Sequence, residues 1–209
     1  MTARTDNIAS IILAAGASQR MGRPKMLLPY RSGTVLSCAV APHLEAGAGQ
    51  VIVVLGHRAE DVHSAAELPV DPRLTTVVNL DWAEGMASSI RRGLEECGEA
   101  SAVLLALGDQ PGVDAARVKA LLAAWGPDVR LVVPVHGDRG SHPVLFARSL
   151  FPELRDLRGE VGARDVVRRH WAEAVRVPAP ALADVDTEED YRTLLEGAPG
   201  GPAGGLKLP

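Results

Sequence analysis

The stretch IILAAGASQRMGRPKMLLPY, residues 11–30, begins as a buried strand and continues as a loop rich in small and cationic residues. Its apolar start has the successive apolar side chains that are typical of a strand buried on both faces. In open α/β sheets, ligands bind beyond the carboxyl ends of the strands, so a ligand is expected at this loop. The first loop residues lack bulk and let a ligand approach the backbone N–H groups: Ala14, Ala15, Gly16 and Ala17.

Two cations in this loop have the chemistry of a polyphosphate site. Arg20 can grip phosphate oxygens with its planar fork, and Lys25 supplies a mobile point charge. The motif GxGxxG is absent, and the P-loop GxxxxGK[ST] does not fit, because Gly22 is followed by Arg-Pro-Lys-Met. Either cation alone would suit an ordinary solvated surface loop. Together, directly after a buried strand, they favour phosphate binding.

Apolar strands and amphipathic helices alternate along the rest of the chain. Strands are predicted at 8–15, 51–56, 74–79, 102–109, 130–135, 142–147 and 174–179. Helices are predicted at 34–47, 86–97, 114–126 and 186–197. This alternation predicts the α/β class, with an open, mostly parallel, Rossmann-like sheet and helices on both faces. We expect one domain over 1–196 and a disordered Gly/Pro-rich tail at 197–209, since that tail cannot bury a core.

The composition argues against several classes of protein. The 209 residues are 46% hydrophobic, enough for one full core, whereas a net charge of −4 and 3% aromatics do not suit nucleic-acid binding. No apolar run reaches the roughly 20 residues that a membrane helix needs, and the polar start MTARTDN lacks the core of a signal peptide. Cys38 and Cys97 have no CxxC or metal-site spacing. We therefore expect a cytoplasmic protein with reduced thiols that binds neither membranes nor nucleic acids.

Five stretches together resemble a known family. They are LAAGASQRMGRPKMLLP (13–29), NLDWAEGMASSIRRGL (79–94), LLALGDQPGV (104–113), GSHPVLFARSLFPEL (140–154) and VDTEEDY (185–191). They resemble the nucleotidyltransferase superfamily that shares the fold of the molybdenum cofactor guanylyl- and cytidylyltransferases, and the nearest branch is the cytidylyltransferase one. The resemblance covers about residues 8–195 and implies a fold like that of nucleotide-diphospho-sugar transferases. It also implies that the nucleotide contacts the loop entry: Leu13, Ala14, Ala15 and Gly16.

Two aspartates are the implied ligands of Mg²⁺. Asp109 ends a strand that is central by its pattern, so it is expected at the same sheet edge as the Gly-rich loop. Mg²⁺ takes one or two carboxylates together with phosphate oxygens and waters. The resemblance implies that Asp109 is the primary ligand and Asp186 the second. Each has an ordinary alternative: an aspartate at a strand end commonly forms a turn, and Asp186 or Thr187 could cap the last predicted helix.

A third group of candidates lies in the stretch 79–94. Asn79 ends a strand, Gly85 permits a tight turn, and Ser88 and Ser89 could donate hydrogen bonds from a helix N-terminus. The resemblance implies that this loop lies near the base and the substrate. The alternative is a capped helix start in which the two serines are merely polar.

His142 and Arg164 are implied contacts of the acceptor substrate. His142 precedes Pro143 as in the family, although Ser141 stands where the family usually has glycine. A turn histidine satisfied by the backbone is an equally good interpretation of His142. Arg164 could hold an anionic acceptor, or it could belong to a solvated helix face.

These residues together predict nucleotidyl transfer, with Lys25, Arg20 and Asp109 as the catalytic groups. The resemblance implies that CMP moves from CTP to the terminal phosphate of molybdenum cofactor, with Mg²⁺ present and pyrophosphate released. CTP is favoured over GTP because Ala15 stands where the guanylyl branch tends to have a second glycine, and its methyl group crowds a purine. Three alternatives stay open: a GTP-using guanylyltransferase, an NAD(P)H-dependent oxidoreductase acting on a blue pigment from nicotine breakdown, and a non-catalytic cofactor carrier. As a molybdenum cofactor transferase or carrier, the chain could dock onto a molybdenum hydroxylase.

Overall fold

A mostly parallel sheet carries the fold of residues 7–197, the part of the chain that the computed structural model describes. The strands are β1 (Ile8–Ala14), β2 (Pro29–Tyr30), β3 (Gly33–Thr34), β4 (Gln50–Leu55), β5 (Leu74–Val78), β6 (Ala102–Leu107), β7 (Leu131–His136), β8 (Arg139–Gly140), β9 (Val144–Ala147) and β10 (Val175–Pro178). Strands β2 and β3 form a small hairpin, and the other eight form one sheet in the order β10-β7-β9-β6-β1-β4-β5, with β8 paired to β7. Strand β9 runs antiparallel to β6 and β7, whereas β1 is parallel to both β4 and β6.

Helices cover both faces of this sheet. They are α1 (Val35–Glu45), α2 (Ala59–Ala65), α3 (Met86–Glu96), α4 (Ala115–Ala123), α5 (Phe151–Arg155), α6 (Arg164–Arg169) and α7 (Glu188–Leu195). Helices α3, α5 and α6 share one apolar cluster with the side chains of Ile11 and Leu13. Helices α1 and α2 pack on the opposite face against Ile12 and Ala14, and α4 packs on that same face beside Ile8. The predicted fold class is thus confirmed.

Strand β1 shows why its sequence has no alternation. All seven of its residues are buried, because β4 and β6 flank it and helices cover both of its faces. A strand in this position needs apolar or small side chains on either side, which is what the successive apolar residues predicted.

Most of the predicted elements are present, and the ones that were not predicted are short. Helices α2, α5 and α6 have seven, five and six residues, too few for a 3.6-residue period to stand out. The hairpin of β2 and β3 has two residues in each strand. From residue 198 onward, the predicted disordered tail lies outside the described residues, and the single domain stays a prediction. Within residues 7–197, every helix is too short or too polar to cross a bilayer.

The carboxyl ends of β1 and β6 lie side by side and fix the start of the Gly-rich loop. Leu13 pairs with Leu107, and the Gly108 N–H donates to the Leu13 carbonyl at 2.9 Å. From the other neighbouring strand, the His57 N–H donates to the Ala15 carbonyl at 3.0 Å. The loop after β1 and the turn after β6 therefore open at the same edge of the sheet.

Candidate active site

A cavity of about 820 Å³ lies at this edge of the sheet. It is large enough for a nucleotide-sized ligand. Most of the residues predicted for the site line it: Leu13, Ala15, Gly16, Ala17, Arg20, Lys25, Ser89, Asp109, His142, Arg164 and Asp186. Four others do not: Ala14, Asn79, Gly85 and Ser88. The structure thus brings the cationic loop, the two aspartates and His142 around one space.

Lys25 is the centre of the charged half of the cavity. Its ammonium lies 2.5 Å from Asp109 Oδ2 and 3.0 Å from Asp186 Oδ1, and only 11% of its side chain is exposed. Arg20 Nη2 lies 2.9 Å from the second oxygen of Asp186. The Lys25 N–H also donates to Ser18 Oγ at 3.2 Å, which fixes the backbone of the loop where the lysine leaves it.

The ion pairs set the protonation states of these groups. Burial alone would lower the pKa of Lys25, but the charges and hydrogen bonds of Asp109 and Asp186 raise it above its ordinary value. Burial alone would raise the pKa of Asp186, but its hydrogen bond to Lys25 and the charges of Lys25 and Arg20 lower it overall. At neutral pH, Lys25 is therefore an ammonium and Asp186 a carboxylate.

Asp186 does not cap the last helix, which corrects one of the two interpretations made from the sequence. Thr187 is the N-cap of α7, and its side chain accepts from the Asp190 N–H in a capping box. Because Thr187 satisfies the helix end, the Asp186 side chain is free to turn toward Lys25 and Arg20.

A third aspartate was not predicted from the sequence. Asp184 lines the cavity, and Gln110 Nε2 donates to its Oδ1. Burial raises the pKa of Asp184 to about 6, with further upward contributions from the charges of Asp109 and Asp186. The Val185 N–H donates to the Asp109 carbonyl at 3.0 Å. These two bonds tie the segment that carries Asp186 to the turn that carries Asp109.

The donor set fits a hard divalent cation of the kind predicted. Asp109 Oδ1 is buried and has no hydrogen-bond partner, so this carboxylate keeps one unsatisfied acceptor. Asp109 and Asp186 provide the two carboxylates that Mg²⁺ commonly takes, with phosphate and water oxygens completing the shell. No group of three or more His, Cys, Asp or Glu residues within 7–197 could hold a metal by itself.

The stretch 79–89 forms a buried hydrogen-bond network behind the cavity wall. Asn79 Nδ2 donates to Ser88 Oγ at 2.8 Å and to Ser89 Oγ at 3.0 Å. Ser88 Oγ contacts the carbonyls of Asp81 and Gly85, within 2.9 and 2.8 Å. Of the three side chains in this network, Ser89 lines the cavity, while Asn79 and Ser88 support it from behind.

Gly85 joins this wall to the loop before α6. It has a φ of +106°, and a Cβ there would lie 2.5 Å from the backbone carbon of Gly159. The Ala87 N–H donates to the Gly159 carbonyl at 3.0 Å, and the Met86 N–H donates to Glu160 Oε2 at 3.3 Å. The two segments can approach this closely only because Gly85 lacks a side chain.

His142, which was expected to contact the acceptor, lines the same cavity. Burial lowers its pKa to about 4, with a smaller contribution from the positive charge of Arg164, which also lines the cavity. His142 is thus a neutral imidazole at physiological pH, with one ring nitrogen able to donate a hydrogen bond and the other able to accept one. Trp82 and Met86 line the cavity as well, and the sequence analysis did not single them out.

Comparisons with known proteins agree with this geometry. A family model described as the MobA-like NTP transferase domain matches residues 10–175. A nicotine blue oxidoreductase of Paenarthrobacter nicotinovorans is 35% identical over 197 residues, which cover 90% of this chain and 93% of that protein. A molybdenum cofactor cytidylyltransferase of Escherichia coli is 25% identical over 191 residues, which cover 90% of this chain and 96% of that protein.

Similar solved structures also cover most of this chain. The crystal structure of Rv0371c from Mycobacterium tuberculosis has a TM-score of 0.79 and 36% identity, covering 90% of this chain and 97% of that one. A complex of Rv0371c with manganese has a TM-score of 0.73 and 34% identity, with the same coverage. The fold is that of the nucleotide-diphospho-sugar transferases, which solved nucleotidyltransferases share. The chain belongs to the MobA-like NTP transferase family and is a nucleotidyltransferase of that family.

Proposed function

We propose that this protein transfers CMP from CTP to the terminal phosphate of molybdenum cofactor and releases pyrophosphate. The observation that carries the proposal is the position of Lys25, shared by Asp109 and Asp186 at the end of the Gly-rich loop. A cation beside two carboxylates suits a substrate that brings phosphates and a divalent metal together. The acceptor is taken from the likeness to the E. coli molybdenum cofactor cytidylyltransferase.

The reaction needs positioning and charge neutralisation more than acid–base chemistry. An oxygen of the acceptor phosphate forms a bond to the α-phosphorus of CTP while the bond from that phosphorus to the bridging oxygen breaks, and pyrophosphate carries away the bonding electrons. A phosphate monoester is already ionised at neutral pH, so no strong general base is required. We assign Lys25 to the charge on the α-phosphate and Arg20 to the pyrophosphate. Asp109 and Asp186 would hold Mg²⁺, which supplies further charge neutralisation on the phosphates when bound.

The packing around Ala15 supports CTP over GTP. Ala15 lines the cavity, and the Cβ of Ala15 lies 2.8 Å from the place where a Cβ on Gly56 would stand. Trp82 Cβ lies 2.5 Å from that same place, so Ala15 and Trp82 both pack against the bare backbone of Gly56. With both neighbours packed this tightly, the Ala15 methyl group has little room to move away from a larger base.

Pyrophosphate release is the direct test. It is measured with Mg²⁺ and CTP, GTP or ATP, with and without molybdenum cofactor. We expect release with CTP that depends on the cofactor and is lost in Asp109→Asn. Asp128→Asn, which changes an exposed carboxylate outside the cavity, is the matched control and should retain activity. Release with GTP alone would replace the cytidylyl assignment by a guanylyl one, and cofactor binding without release would favour a carrier.

A second candidate function rests on the 35% identity to nicotine blue oxidoreductase over 90% of this chain. On that reading, the cavity binds NAD(P)H and a quinone-like dye. An assay of NADPH oxidation in the presence of such a dye separates the two functions. Its readout is the loss of absorbance at the nicotinamide band. Dye-dependent NADPH oxidation without pyrophosphate release would favour the oxidoreductase.

If the protein acts on molybdenum cofactor, as a transferase or as a carrier, we propose a molybdenum hydroxylase as the recipient. A pull-down with such an enzyme can test this.

A further inference from the structure

Without substrate, four charged groups of the cavity pair with one another in an alternating chain. Arg20 contacts Asp186, Asp186 contacts Lys25, and Lys25 contacts Asp109, at 2.9, 3.0 and 2.5 Å. Two cations and two carboxylates therefore sum to zero charge. Under the proposed function, on which this inference rests, the cations face phosphates and the carboxylates face a metal. Each of the four groups must then exchange its partner when the substrate binds.

Lys25 is the residue that constrains this exchange most strongly. Its side chain is 11% exposed and touches both carboxylates, whereas the Arg20 side chain is 68% exposed and touches one. Solvent and salt weaken an exposed pair much more than a shielded one. A divalent cation that approaches Asp109 and Asp186 therefore meets an ammonium that already occupies the space between them.

Lys25 nevertheless satisfies only one of the two carboxylate oxygens of Asp109. Its Oδ2 accepts from Lys25, but its Oδ1 is buried and unpartnered. An acceptor left in this state is costly, so the site gains free energy from any arrangement that satisfies both oxygens. The lysine alone does not provide that arrangement.

We propose that Lys25 is the resident counter-ion of Asp109 and Asp186 and makes the binding of the divalent cation and of the polyphosphate mutually dependent. Without polyphosphate, Lys25 blocks the carboxylates. A polyphosphate gives the ammonium a new partner and frees both aspartates for the metal. By linkage, a metal on the aspartates releases Lys25 toward phosphate and raises polyphosphate affinity by the same factor.

Binding of free Mn²⁺ to the full chain tests this directly, with the electron paramagnetic resonance signal of unbound Mn²⁺ as the readout. Lys25→Met keeps an unbranched apolar chain without the charge, and we expect it to bind free Mn²⁺ about tenfold more tightly than wild type, within the usual range of coupling between sites. Arg23→Met is the matched control, because Arg23 lies in the same loop but pairs with Glu188. It should bind Mn²⁺ like wild type. Adding Asp109→Asn to Lys25→Met should abolish the gain.

A second variant guards against poor folding of Lys25→Met. Arg20→Met removes the more exposed cation of the same chain of ion pairs. We expect a gain in Mn²⁺ affinity of about twofold, smaller because solvent already screens that pair.

The reverse effect is measured on the wild type with the α,β-methylene analogue of CTP. Its affinity should rise at least about fivefold when Mn²⁺ is present. Binding is followed by tryptophan fluorescence, since Trp82 lies in the cavity wall.

Equal or weaker Mn²⁺ binding by folded Lys25→Met would overturn the inference. If pyrophosphate release from CTP still occurred, the proposed function would stand without it. Tighter Mn²⁺ binding by Lys25→Met in a protein that releases no pyrophosphate would support the counter-ion role and overturn the proposed reaction. Analogue binding that is independent of Mn²⁺ would also overturn the coupling.

Discussion

His43 makes the stability of this fold sensitive to mild acid. Its side chain is fully buried in α1, Nδ1 lies 2.9 Å from Ser10 Oγ, and Nε2 has no partner. Burial lowers the pKa of His43 from 6.5 to about 4. The unfolded chain therefore binds a proton between these two values that the folded chain does not, and the free energy of unfolding falls as the pH falls.

The size of this effect follows from the two pKa values. Between about pH 7.5 and about pH 5.0, one such histidine lowers the free energy of unfolding by about 2 kcal/mol. His142 has the same lowered pKa of about 4 and contributes in the same direction. We therefore expect wild type to lose at least about 2 kcal/mol from the two histidines over this range, a substantial part of the stability of an ordinary domain.

The variant that isolates this contribution is His43→Gln, which can still hydrogen-bond to Ser10 but cannot titrate. Urea unfolding at 25 °C is measured at both pH values, and the change between them is compared for the two proteins, so that packing effects of the substitution cancel. We expect His43→Gln to lose about 2 kcal/mol less than wild type. If both proteins lose the same amount, His43 is not a neutral buried base and the reasoning is refuted.

Three further substitutions test other parts of the structure. Lys25→Ala should keep the far-ultraviolet circular dichroism spectrum and lower kcat/KM for CTP by at least about a hundredfold, the scale of losing a positioned charge in a site; full activity would contradict its role. Gly85→Ala places a Cβ 2.5 Å from Gly159 at a φ of +106°, so the free energy of unfolding should fall by about 1–3 kcal/mol, whereas Gly126→Ala, which meets open space, should change it by less than about 0.5 kcal/mol. Thr187→Ala should cost about 1 kcal/mol in urea unfolding through loss of the α7 cap, and an unchanged midpoint would reject that cap.

The sequence predicted the charged half of the cavity because that half is largely local. Gly16, Arg20 and Lys25 follow one buried strand directly, and a strand that ends in a loop fixes where such side chains lie. Asp109 could be added because the carboxyl ends of parallel neighbours meet at one edge. These predictions required only the period of the strands and the order of the motifs.

The rest of the site could be predicted only in part, because it depends on contacts between distant segments. The role of Asp184 depends on Gln110, which is 74 residues away, and nothing in ALADVD shows this. Asn79 and Ser88 carry polar groups suited to a ligand. In the fold, however, Asn79 donates to Ser88, and Ser88 donates to a backbone carbonyl. The low pKa of His142 depends on burial by the folded chain around it. The sequence pattern identifies which polar side chains are candidates for the site. Tertiary packing determines which of them face the cavity.

The last helix of the fold completes the site, and this connects stability with activity. Lys25 and Asp186 are 161 residues apart, so their ion pair exists only when the segment before α7 is docked. That docking depends on the Val185 N–H bond to the Asp109 carbonyl and on Tyr191 Oη, which donates to the Pro29 carbonyl at 2.6 Å. If α7 detached, Lys25 would lose one of its two carboxylates while Asp109 stayed in place. A change that loosens α7 would thus alter the proposed metal site before it unfolded the sheet, because the bonds of β1 and β6 do not involve this helix.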